Sequence, residues 1–331
     1  MVTWSLVPPE SPGAAWDEAL AALPGQTVFQ SSAWAAHKKD SGWEALRLAG
    51  EDGGRRVAAA QFLLKRPGGG PVRLLWLRGG PAGEPAAWAG LLEAAAAAAG
   101  GPFYARFCSY REASAEDAAL LRGQGWSPTP RPLNRNATFL LDLSAGEAAL
   151  EAGLSSNWSH NLRRARKRCR PPRLWTNPDP AELARVYRAM EAYKGIAAQH
   201  SEEALSSLLR ALGPRLALYR VDGDDGAPIA LRAMARQGER AWDLLAAAGE
   251  AGRRSYATYS LLWELVLHAA RDGARAYDLG GADPEAAKGV YDFKKGTGAR
   301  FVDYLGEWEA ARPGLLRLPA SWAASRAGAA A

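Results

Sequence analysis

The sequence is poor in the residues that build metal sites and disulfide frameworks. It has two cysteines, Cys108 and Cys169, and four scattered histidines among 331 residues. A disulfide scaffold needs a denser cysteine pattern, and a zinc site needs closely spaced ligands. Neither class of protein is indicated, so we expect no bound metal and take a reducing cytoplasm as the location.

Long apolar runs are also missing. No stretch approaches 18 apolar residues without a charge, and the alanine-rich run at 94–99 is short and lies in a helical pattern. The opening MVTWSLVPPESPG has neither a basic nor an apolar region, so we expect no signal peptide. What is present is an ordinary globular composition, 48% apolar and 23% charged, with material for two medium-sized domains.

Positive charge exceeds negative charge, and the formal net charge is +6. This excess favours anionic partners such as nucleic acids or nucleotides without identifying one. Although lysine is scarce, GVYDFKKGTGARFVDYLGE at 289–307 sets Lys294 and Lys295 just before Gly296 and Gly298. Glycines allow close approach of the backbone, and lysines suit an anion or a developing negative charge.

The chain contains an internal repeat with an offset of 173 residues. The aligned residues include Glu51-Asp52-Gly53 with Asp224-Asp225-Gly226, Gly100 with Gly273, and Tyr104 with Tyr277. In each copy, two strands joined by an acidic glycine turn precede a third strand, a helix and a returning strand. The helices are expected at 85–99 and 255–271.

The repeat predicts an α+β protein with two similar tandem domains. Antiparallel hairpins followed by a helix and a returning strand give mixed, mostly antiparallel sheets flanked by helices. We expect the first domain at 1–137, with the C-terminal segment 306–331 returning to it, and the second domain at 138–305.

Three segments resemble the Fem family of aminoacyl-tRNA-dependent transferases. They are FQSSAWAAHKKDSGW (29–43), NWSHNLRRARKR (157–168), and YDLGG (277–281) with the downstream segment 289–307. The resemblance covers nearly the whole chain and implies two tandem GNAT-like domains, in agreement with the repeat. It also implies transfer of an amino acid from aminoacyl-tRNA to an amine or hydroxyl acceptor, without a cofactor. The chain is similar to short members that lack an inserted helical hairpin.

The resemblance implies that Lys294 is the active-site lysine. A lysine at a strand end can stabilise a carbonyl oxygen while an amine attacks an ester, with its stem packed on Phe293. A solvated turn lysine is the alternative. Strand alternation predicts that Lys295 points the other way. We group Lys295 with the RNA-binding candidates, although a solvated lysine is its simpler interpretation.

Asp278 and Gly280 come at the end of a buried strand. We assign both to substrate binding because the turn that they shape lines the predicted site. For Asp278, capping of the following loop competes with a catalytic role.

A dense basic cluster lies at 163–170, where six of eight residues are Arg or Lys. On a helix, such charge suits a phosphate backbone like the acceptor end of a tRNA, and a merely solvated helix is the alternative. The RNA-binding candidates are Arg163, Arg164, Arg166 and Lys167. Trp158, just before the cluster, is expected in the core rather than stacked on a base.

In the first domain, Lys38 follows Trp34 by four residues, which places both on one helix face. In the family, a lysine at this spacing contacts the phosphates of a nucleotide-linked acceptor. The resemblance therefore assigns Trp34 and Lys38 to substrate binding, with an exposed helix lysine as the alternative.

Three positions depart from the family pattern. Gln199 stands where cell-wall members place an acceptor-binding arginine, Cys108 ends a strand that usually ends in an acidic residue, and Asp243 replaces an aromatic residue. We assign all three to substrate binding and expect a changed acceptor, either a small molecule or a nucleotide-linked compound. Cys108 is also a candidate nucleophile, although no histidine is placed near it by the sequence.

Two other classes of protein compete with this interpretation. An acyl-CoA-dependent N-acyltransferase would bind the pyrophosphate with a glycine turn opening a helix. AAAGEAGRRSYATYS does not fit that turn, and Arg78-Gly79-Gly80-Pro81-Ala82-Gly83 fits only with Pro at a Gly position. A non-catalytic binding protein is the third class, and Lys294 in its loop argues against it. The oligomeric state is not determined by the sequence, and a monomer is favoured.

Overall fold

The computed structural model describes residues 1–133, 136–198 and 200–326. These residues form two compact units. Unit 1 takes the described residues of Met1–Ala137 and Val302–Ala331, and unit 2 takes those of Thr138–Phe301. The chain thus leaves unit 1 after residue 137 and returns to it at residue 302, within a strand.

The first segment of unit 1 alternates strands and helices. Its strands are β1 (Thr3–Leu6), β2 (Glu44–Asp52), β3 (Arg55–Lys65), β4 (Arg73–Arg78), β5 (Ala82–Gly83), β6 (Phe103–Glu112) and β7 (Ser127–Pro128). Its helices are α1 (Gly13–Ala21), α2 (Ser32–Lys39), α3 (Leu91–Ala99) and α4 (Ala115–Gly123).

Unit 2 follows with its own strands and helices. Its strands are β8 (Ala137–Asp142), β9 (Arg173–Leu174), β10 (Leu216–Asp222), β11 (Pro228–Gln237), β12 (Arg240–Ala248) and β13 (Ala276–Gly281). Its helices are α5 (Glu147–Ala152), α6 (Ser156–Arg168), α7 (Pro180–Lys194), α8 (Glu202–Leu212), α9 (Glu250–Arg254), α10 (Ala257–Arg271) and α11 (Lys288–Lys295).

The C-terminal segment completes unit 1. It consists of β14 (Arg300–Arg312) and α12 (Arg317–Arg326). Short 3₁₀ turns lie at Val28–Gln30, Pro67–Gly69, Pro85–Trp88, Gly213–Arg215 and Gly314–Leu316. The alternating residues after Gly298 predict a strand that closes at Gly306-Glu307. The structure has this strand, but it continues past Gly306, where the register has a bulge and φ is 77°.

Unit 1 is built on a mixed sheet with the strand order β1-β2-β3-β4-β6-β14, with β5 on β3 and β7 on β14. β4 and β6 are parallel, and the other pairs are antiparallel. Strand alternation gives β6 two different faces. Phe103, Ala105 and Phe107 enter the apolar core, whereas Tyr104, Arg106 and Cys108 share the opposite face.

Unit 2 has the strand order β8-β13-β12-β11-β10-β9. β12 and β13 are parallel, and the other pairs are antiparallel. α10 buries Leu261, Leu262, Leu265 and Val266, whose spacing defines one helical face, in the core of this unit. The N-terminal half of α6 packs into the same core.

The structure confirms the repeat and the fold class predicted from it. β3 and β11 begin at residues 55 and 228, and β6 and β13 begin at residues 103 and 276, so both pairs keep the offset of 173. Both units have α+β architecture with mixed, mostly antiparallel sheets flanked by helices.

The two predicted repeat helices are shorter than expected. The segment 85–99 is broken at Gly90, whose left-handed φ of 83° separates a 3₁₀ turn from α3. The segment 255–271 yields α10 only from Ala257, because Tyr256 has a φ of 63°. The helical spacing of apolar residues in the sequence did not predict the break at Gly90 or the later start at Ala257.

Candidate active site

The candidate site of unit 2 lies where two parallel strands separate. β12 pairs with β13 over only three positions, from Arg240 opposite Ala276 to Trp242 opposite Asp278. β12 then continues to Ala248, and β13 ends at Gly281. The diverging strands leave a wedge between Asp243 on one side and Gly280 and Gly281 on the other.

Lys294 fills this wedge from α11. Its side chain is buried, and Nζ donates hydrogen bonds to the carbonyl oxygens of Gly280 at 3.0 Å and Gly281 at 2.7 Å. A Cβ atom on Gly280 would lie 3.7 Å from both Nζ and the Asp243 carbonyl oxygen. An ammonium group has three donors, so within the described chain one N–H of Lys294 is left for another acceptor.

The predicted backbone around Lys294 is wrong. The structure places this lysine in the last turn of a helix, which begins at Lys288 and ends before the Gly296-Thr297-Gly298 turn. Lys288 and Asp292 form an i,i+4 ion pair at 2.5 Å along the same helix. Lys295 is exposed, as expected, but helical rotation rather than strand alternation turns it away from Lys294.

Burial changes the pKa of the Lys294 ammonium group. Burial lowers the pKa of Lys294 from its usual 10.5 to about 8, while the nearby Asp243 carboxylate opposes this effect and the Arg232 guanidinium adds to it. The group therefore titrates close to neutral pH. A cation of this kind can meet developing negative charge and lose its proton within a modest pH range.

A buried ion pair forms one wall of the wedge. Arg232 on β11 donates from Nε to Asp243 Oδ1 at 2.9 Å and from a terminal nitrogen to Oδ2 at 2.5 Å. In the β11–β12 register, Arg232 lies opposite Ala246 and Asp243 lies opposite Met234, and a bulge falls between these two pairs. Asp243, predicted to bind substrate, thus has both oxygens engaged by Arg232, a residue that the sequence analysis missed.

The other predicted acid is also engaged by the protein. Asp278 Oδ1 accepts hydrogen bonds from Thr138 Oγ1 at 2.5 Å and from the Gly280 nitrogen at 2.9 Å, and Oδ2 accepts from Arg240 at 2.7 Å. These contacts fix the turn that carries the Gly280 and Gly281 carbonyl groups. They match the capping role considered for Asp278.

Phe293 joins the wedge to the basic helix α6. Its ring lies 5.5 Å from the Arg232 guanidinium carbon, and its carbonyl oxygen accepts a hydrogen bond from Trp158 Nε1 at 3.1 Å. Ser155, the N-cap of α6, donates its backbone N–H to the Gly296 carbonyl at 2.9 Å. As predicted, Trp158 is a core residue, with 2% exposure.

The basic side chains of α6 lie along its solvent side. Trp158, Asn161, Leu162 and Ala165 form the buried face, and all four predicted RNA-binding residues of the helix are exposed. The charge therefore forms a stripe rather than surrounding the helix.

Three members of this stripe have partners within unit 2, among them Arg168, whose guanidinium carbon lies 5.6 Å from the Tyr256 ring centroid. Arg164 donates to the Tyr256 hydroxyl at 2.9 Å, and Arg166 lies 3.8 Å from Glu151. No carboxylate of the described chain is within ion-pair distance of Arg163 or Lys167. These two cations remain available for an anionic partner.

A second cluster of cations lies in unit 1. Lys38 Nζ is 5.3 Å from the Trp34 ring centroid, as their spacing on α2 predicts, and the Arg78 guanidinium lies 5.6 Å from the same ring. Burial lowers the pKa of Lys38 to about 8, and repulsion by Arg78 adds to this. Two neighbouring cations on one indole suit a phosphate or carboxylate, and Arg78 was considered in the sequence only as part of a glycine turn.

Cys108 is a poor nucleophile in this fold. It is buried on the polar face of β6, and its Sγ donates to Asn136 Oδ1 at 3.6 Å. Burial raises its pKa far above the usual thiol value, and Glu307 adds to this. The thiolate that nucleophilic catalysis requires is therefore disfavoured. Gln199, the remaining predicted substrate-binding residue, lies outside the described residues.

The described chain offers neither a metal site nor a membrane span. Its His, Cys, Asp and Glu side chains form no cluster suited to holding a metal ion. In the same part of the chain, no helix is long and apolar enough to cross a membrane.

Comparisons with known proteins identify the fold. Residues 156–295 match the family described as "Acetyltransferase (GNAT) domain". No curated protein matches the sequence. Among solved structures, the chain resembles FemX, with 17% identity, a TM-score of 0.80, and coverage of 93% of this chain and 96% of FemX.

Two further solved structures share the fold. L-PGS from Bacillus licheniformis has 15% identity and a TM-score of 0.53, over 81% of this chain and 85% of its own. A tandem GNAT protein from the clavulanic acid biosynthesis pathway has 14% identity and a TM-score of 0.53, over 94% and 98%. The expected Fem-like, tandem GNAT-like fold is confirmed.

Proposed function

We propose that this protein is an acyltransferase that moves an amino acid from aminoacyl-tRNA to an amine or hydroxyl acceptor. The observation that carries the proposal is the buried ammonium group of Lys294, held in the wedge by two carbonyl groups with a further N–H available. The Fem-like fold supports this choice of reaction. Because the ester of aminoacyl-tRNA is already activated, the protein needs to supply position and charge stabilisation rather than a covalent nucleophile.

The chemistry assigned to Lys294 follows the charge in the reaction. The acceptor lone pair attacks the ester carbonyl carbon, the new C–N or C–O bond forms, and negative charge develops on the carbonyl oxygen. The free N–H of Lys294 stabilises this oxyanion. The ester C–O bond then breaks, the acceptor gives up one proton, and the ribose oxygen leaves and takes up one proton, so that the step is balanced. Since the carbonyl oxygen gains charge only during attack, the lysine stabilises the transition state more than the bound ester.

We assign helix α6 to binding the tRNA of the aminoacyl-tRNA donor. Its exposed cations Arg163 and Lys167 provide contacts for phosphates, and Lys295 is assigned to the same partner. Trp158 and Ser155 connect the beginning of the helix to the α11 segment that carries Lys294. The acceptor end of a tRNA bound to this helix would therefore lie close to the wedge.

We assign an anionic group to the acceptor because two cations of unit 1 lie beside one tryptophan ring. Lys38 and Arg78 against Trp34 form the site proposed to hold it, and a nucleotide-linked compound or a small acidic amine would supply the charge. Asp243 and Cys108 stand at two positions where this chain departs from the family pattern. In the structure, Asp243 is paired with Arg232, and Cys108 is buried. These changes support an acceptor other than the usual cell-wall precursor.

The alternative donor, an acyl-CoA, is disfavoured because backbone N–H groups of the glycine turns already donate hydrogen bonds within the protein. Gly79 and Gly80 both donate their backbone N–H groups to the Cys108 carbonyl, at 2.8 and 3.3 Å. In unit 2, the Gly249 N–H donates to the Ile229 carbonyl at 3.1 Å, and Glu250 places a carboxylate at the start of the short helix α9. A pyrophosphate needs free amides and no nearby anion.

A donor-exchange experiment tests the proposal. The purified protein would be incubated with radiolabelled aminoacyl-tRNA or with acetyl-CoA, together with small amines and a nucleotide-linked peptidoglycan precursor, and products would be identified by mass spectrometry. We expect an aminoacylated product from aminoacyl-tRNA only. Acylation from acetyl-CoA alone would replace this function with the acyl-CoA reaction. Binding of tRNA without any transfer would favour the non-catalytic alternative.

A further inference from the structure

Tyr256 has an unusual backbone conformation just before α10 in unit 2. Its φ is 63° and its ψ is 21°, and among the described residues it is the only one besides glycines with a positive φ. A bulky side chain is rare in this left-handed region, because its Cβ atom crowds the neighbouring backbone. Such strain is retained mainly at functional sites. The contacts of the Tyr256 ring therefore indicate what the side chain does.

Two arginines of the basic helix α6 contact the Tyr256 ring. Arg164 donates a hydrogen bond to the hydroxyl at 2.9 Å, and its guanidinium carbon lies 5.4 Å from the ring centroid. The guanidinium carbon of Arg168, one turn further along α6, lies 5.6 Å from the same centroid. Both arginines are exposed, and Tyr256 is half-buried. Within the described chain, no carboxylate is at ion-pair distance from either arginine, so the ring lies in a positively charged surface.

A row of aromatic contacts leads from Tyr256 to the wedge. The ring centroid of Tyr256 lies 6.2 Å from that of Tyr259, and the Tyr259 centroid lies 5.0 Å from that of Phe293. Both distances fall in the range of direct contact between aromatic rings. Asn161 of α6 donates a hydrogen bond to the Tyr259 hydroxyl at 3.1 Å and holds the middle ring. Tyr256 is thus separated by two ring contacts from Phe293, the residue before Lys294.

A partly exposed ring among cations suits an unpaired nucleobase. Bases stack on aromatic side chains and on guanidinium planes, and the adjoining phosphates are attracted by the positive charge. The 3′ end of a tRNA is single-stranded and carries the amino acid as an ester. A base stacked on Tyr256 would therefore belong to the part of the RNA that must reach the wedge.

We infer that Tyr256 is the platform on which an unpaired base near the 3′ end of the aminoacyl-tRNA stacks. This inference rests on the proposed function. Arg164 and Arg168 hold the platform and face the adjoining phosphates. Tyr256 binds the donor and takes no part in the bond changes, because the ester is assigned to Lys294.

Two other roles would use the same contacts. If Tyr256 only packs the beginning of α10 against α6, then removal of its ring would lower stability and leave RNA affinity unchanged. If the ring only orients the arginines toward a phosphate, then its removal would reduce both the affinity and the salt dependence of binding. Loss of a stacked base removes no phosphate contact, so the affinity should fall while the log–log salt slope stays the same.

The test combines two forms of tRNA with variants at Tyr256. Total bacterial tRNA labelled at its 5′ end, and the same tRNA without its unpaired 3′ nucleotides, would be titrated at several salt concentrations by fluorescence anisotropy. Tyr256→Gly should fold with a melting temperature close to the wild-type value, because glycine accepts a φ of 63° without strain. Tyr256→Asn is a second ringless variant suited to this φ.

Both ringless variants should bind intact tRNA about 5- to 150-fold more weakly than the wild type, with an unchanged salt slope. Removal of the unpaired nucleotides should weaken binding by the wild type to a similar extent and should add no further loss in these variants. Tyr256→Phe keeps the ring, so it should bind both forms as the wild type does.

Trp322→Ala is the matched control. Trp322 is likewise an exposed ring with an arginine over it, Arg326 at 3.9 Å, but it belongs to unit 1, so its loss should leave tRNA binding unchanged. Wild-type affinity in both ringless variants, an equal effect of truncation on all proteins, or a reduced salt slope would overturn the inference and leave the proposed function intact. A wild type that binds coenzyme A, which also carries an adenine, but not tRNA would overturn both.

Discussion

Arg106 and Glu307 form an ion pair in which neither side chain has solvent-accessible surface. The pair joins β6 to β14 in unit 1, and Glu307 Oε1 also accepts the Leu133 backbone N–H at 2.9 Å. The neighbouring Glu309 accepts a hydrogen bond from the Tyr104 hydroxyl at 2.7 Å. One face of this strand pair is therefore held by buried charge, and the other by apolar packing.

Breaking the ion pair from one side should destabilise the protein. Glu307→Gln leaves the Arg106 guanidinium buried without its counter-charge, and such losses cost about 3–5 kcal/mol. The double variant Arg106→Met with Glu307→Gln removes both charges, so its loss should be smaller than the sum of the two single losses. Chemical denaturation checks this, with peptide-resolved hydrogen exchange to locate the effect in unit 1. Additive losses would show that the pair is not coupled.

Removing the ammonium group of Lys294 should slow transfer more than it weakens the fold. Lys294→Met keeps the stem but loses the oxyanion contact, so the turnover rate at saturating aminoacyl-tRNA should fall by about 100-fold or more. The melting temperature should stay close to that of the wild type, because loss of two hydrogen bonds is offset by removal of a desolvated charge. Lys295→Met is the control, because Lys295 is exposed and assigned to tRNA binding, so its loss should spare the turnover rate at saturating aminoacyl-tRNA. Equal rates in both variants would refute the site assignment.

The pH dependence of the rate should show a basic limb near pH 8. Oxyanion stabilisation needs the protonated form of Lys294, and burial lowers its pKa to about 8. The rate should therefore fall as the pH rises through this value, after correction for uncatalysed ester hydrolysis. The residual rate of Lys294→Met should lack this limb. A wild-type rate that stays constant up to pH 10 would contradict the role of the ammonium group.

The same lowered pKa should make the free energy of unfolding rise with pH, whereas the rate falls. The folded-state pKa lies below the unfolded value of 10.5, so between these two pH values the unfolded chain binds a proton that the folded chain does not. The contribution of Lys294 to the free energy of unfolding should rise from pH 8 to pH 10.5. Denaturation of the wild type and Lys294→Met across this range measures the difference. A constant difference would indicate an unshifted lysine.

The basic stripe of α6 should control affinity for RNA. Replacing Arg163 and Lys167 with Ala should weaken tRNA binding and reduce the log–log salt slope by about one unit for each lost phosphate contact. Arg55→Ala with Arg66→Ala removes the same charge from exposed positions of unit 1 and is the matched control. If the two double variants lose equal affinity, net charge rather than the α6 surface determines binding.

Local patterns in the sequence predict much of this fold. The acidic glycine turns mark both hairpins, and the matching helix and returning strand in each copy mark the repeat, because turn chemistry and periodicity are local properties. The i,i+4 spacing of Trp34 and Lys38 likewise predicts their contact. These features need no knowledge of distant residues.

Features that depend on tertiary register were not predicted. The segment KGVYDFKK has only eight residues, so its helix could not be distinguished from a strand by pattern alone. The Arg232–Asp243 pair lies next to a bulge that the sequence does not mark. The contact between His200 and Glu191, at 3.1 Å, joins a residue beyond the end of α7 at Gly195 back to that helix, and no local pattern marks it. The tuning of Lys294 follows from burial by elements far apart in the sequence.

The division of unit 1 into two chain segments determines when it can be completed during synthesis. Unit 2 is one continuous segment, whereas β14, which lies beside β6, leaves the ribosome only after unit 2 has been made. Until then, the nascent N-terminal segment has β6 as an open sheet edge, and Arg106 has no Glu307 to meet. Vectorial synthesis therefore allows unit 2 to fold first, and the earliest translated residues are among the last to reach their native partners.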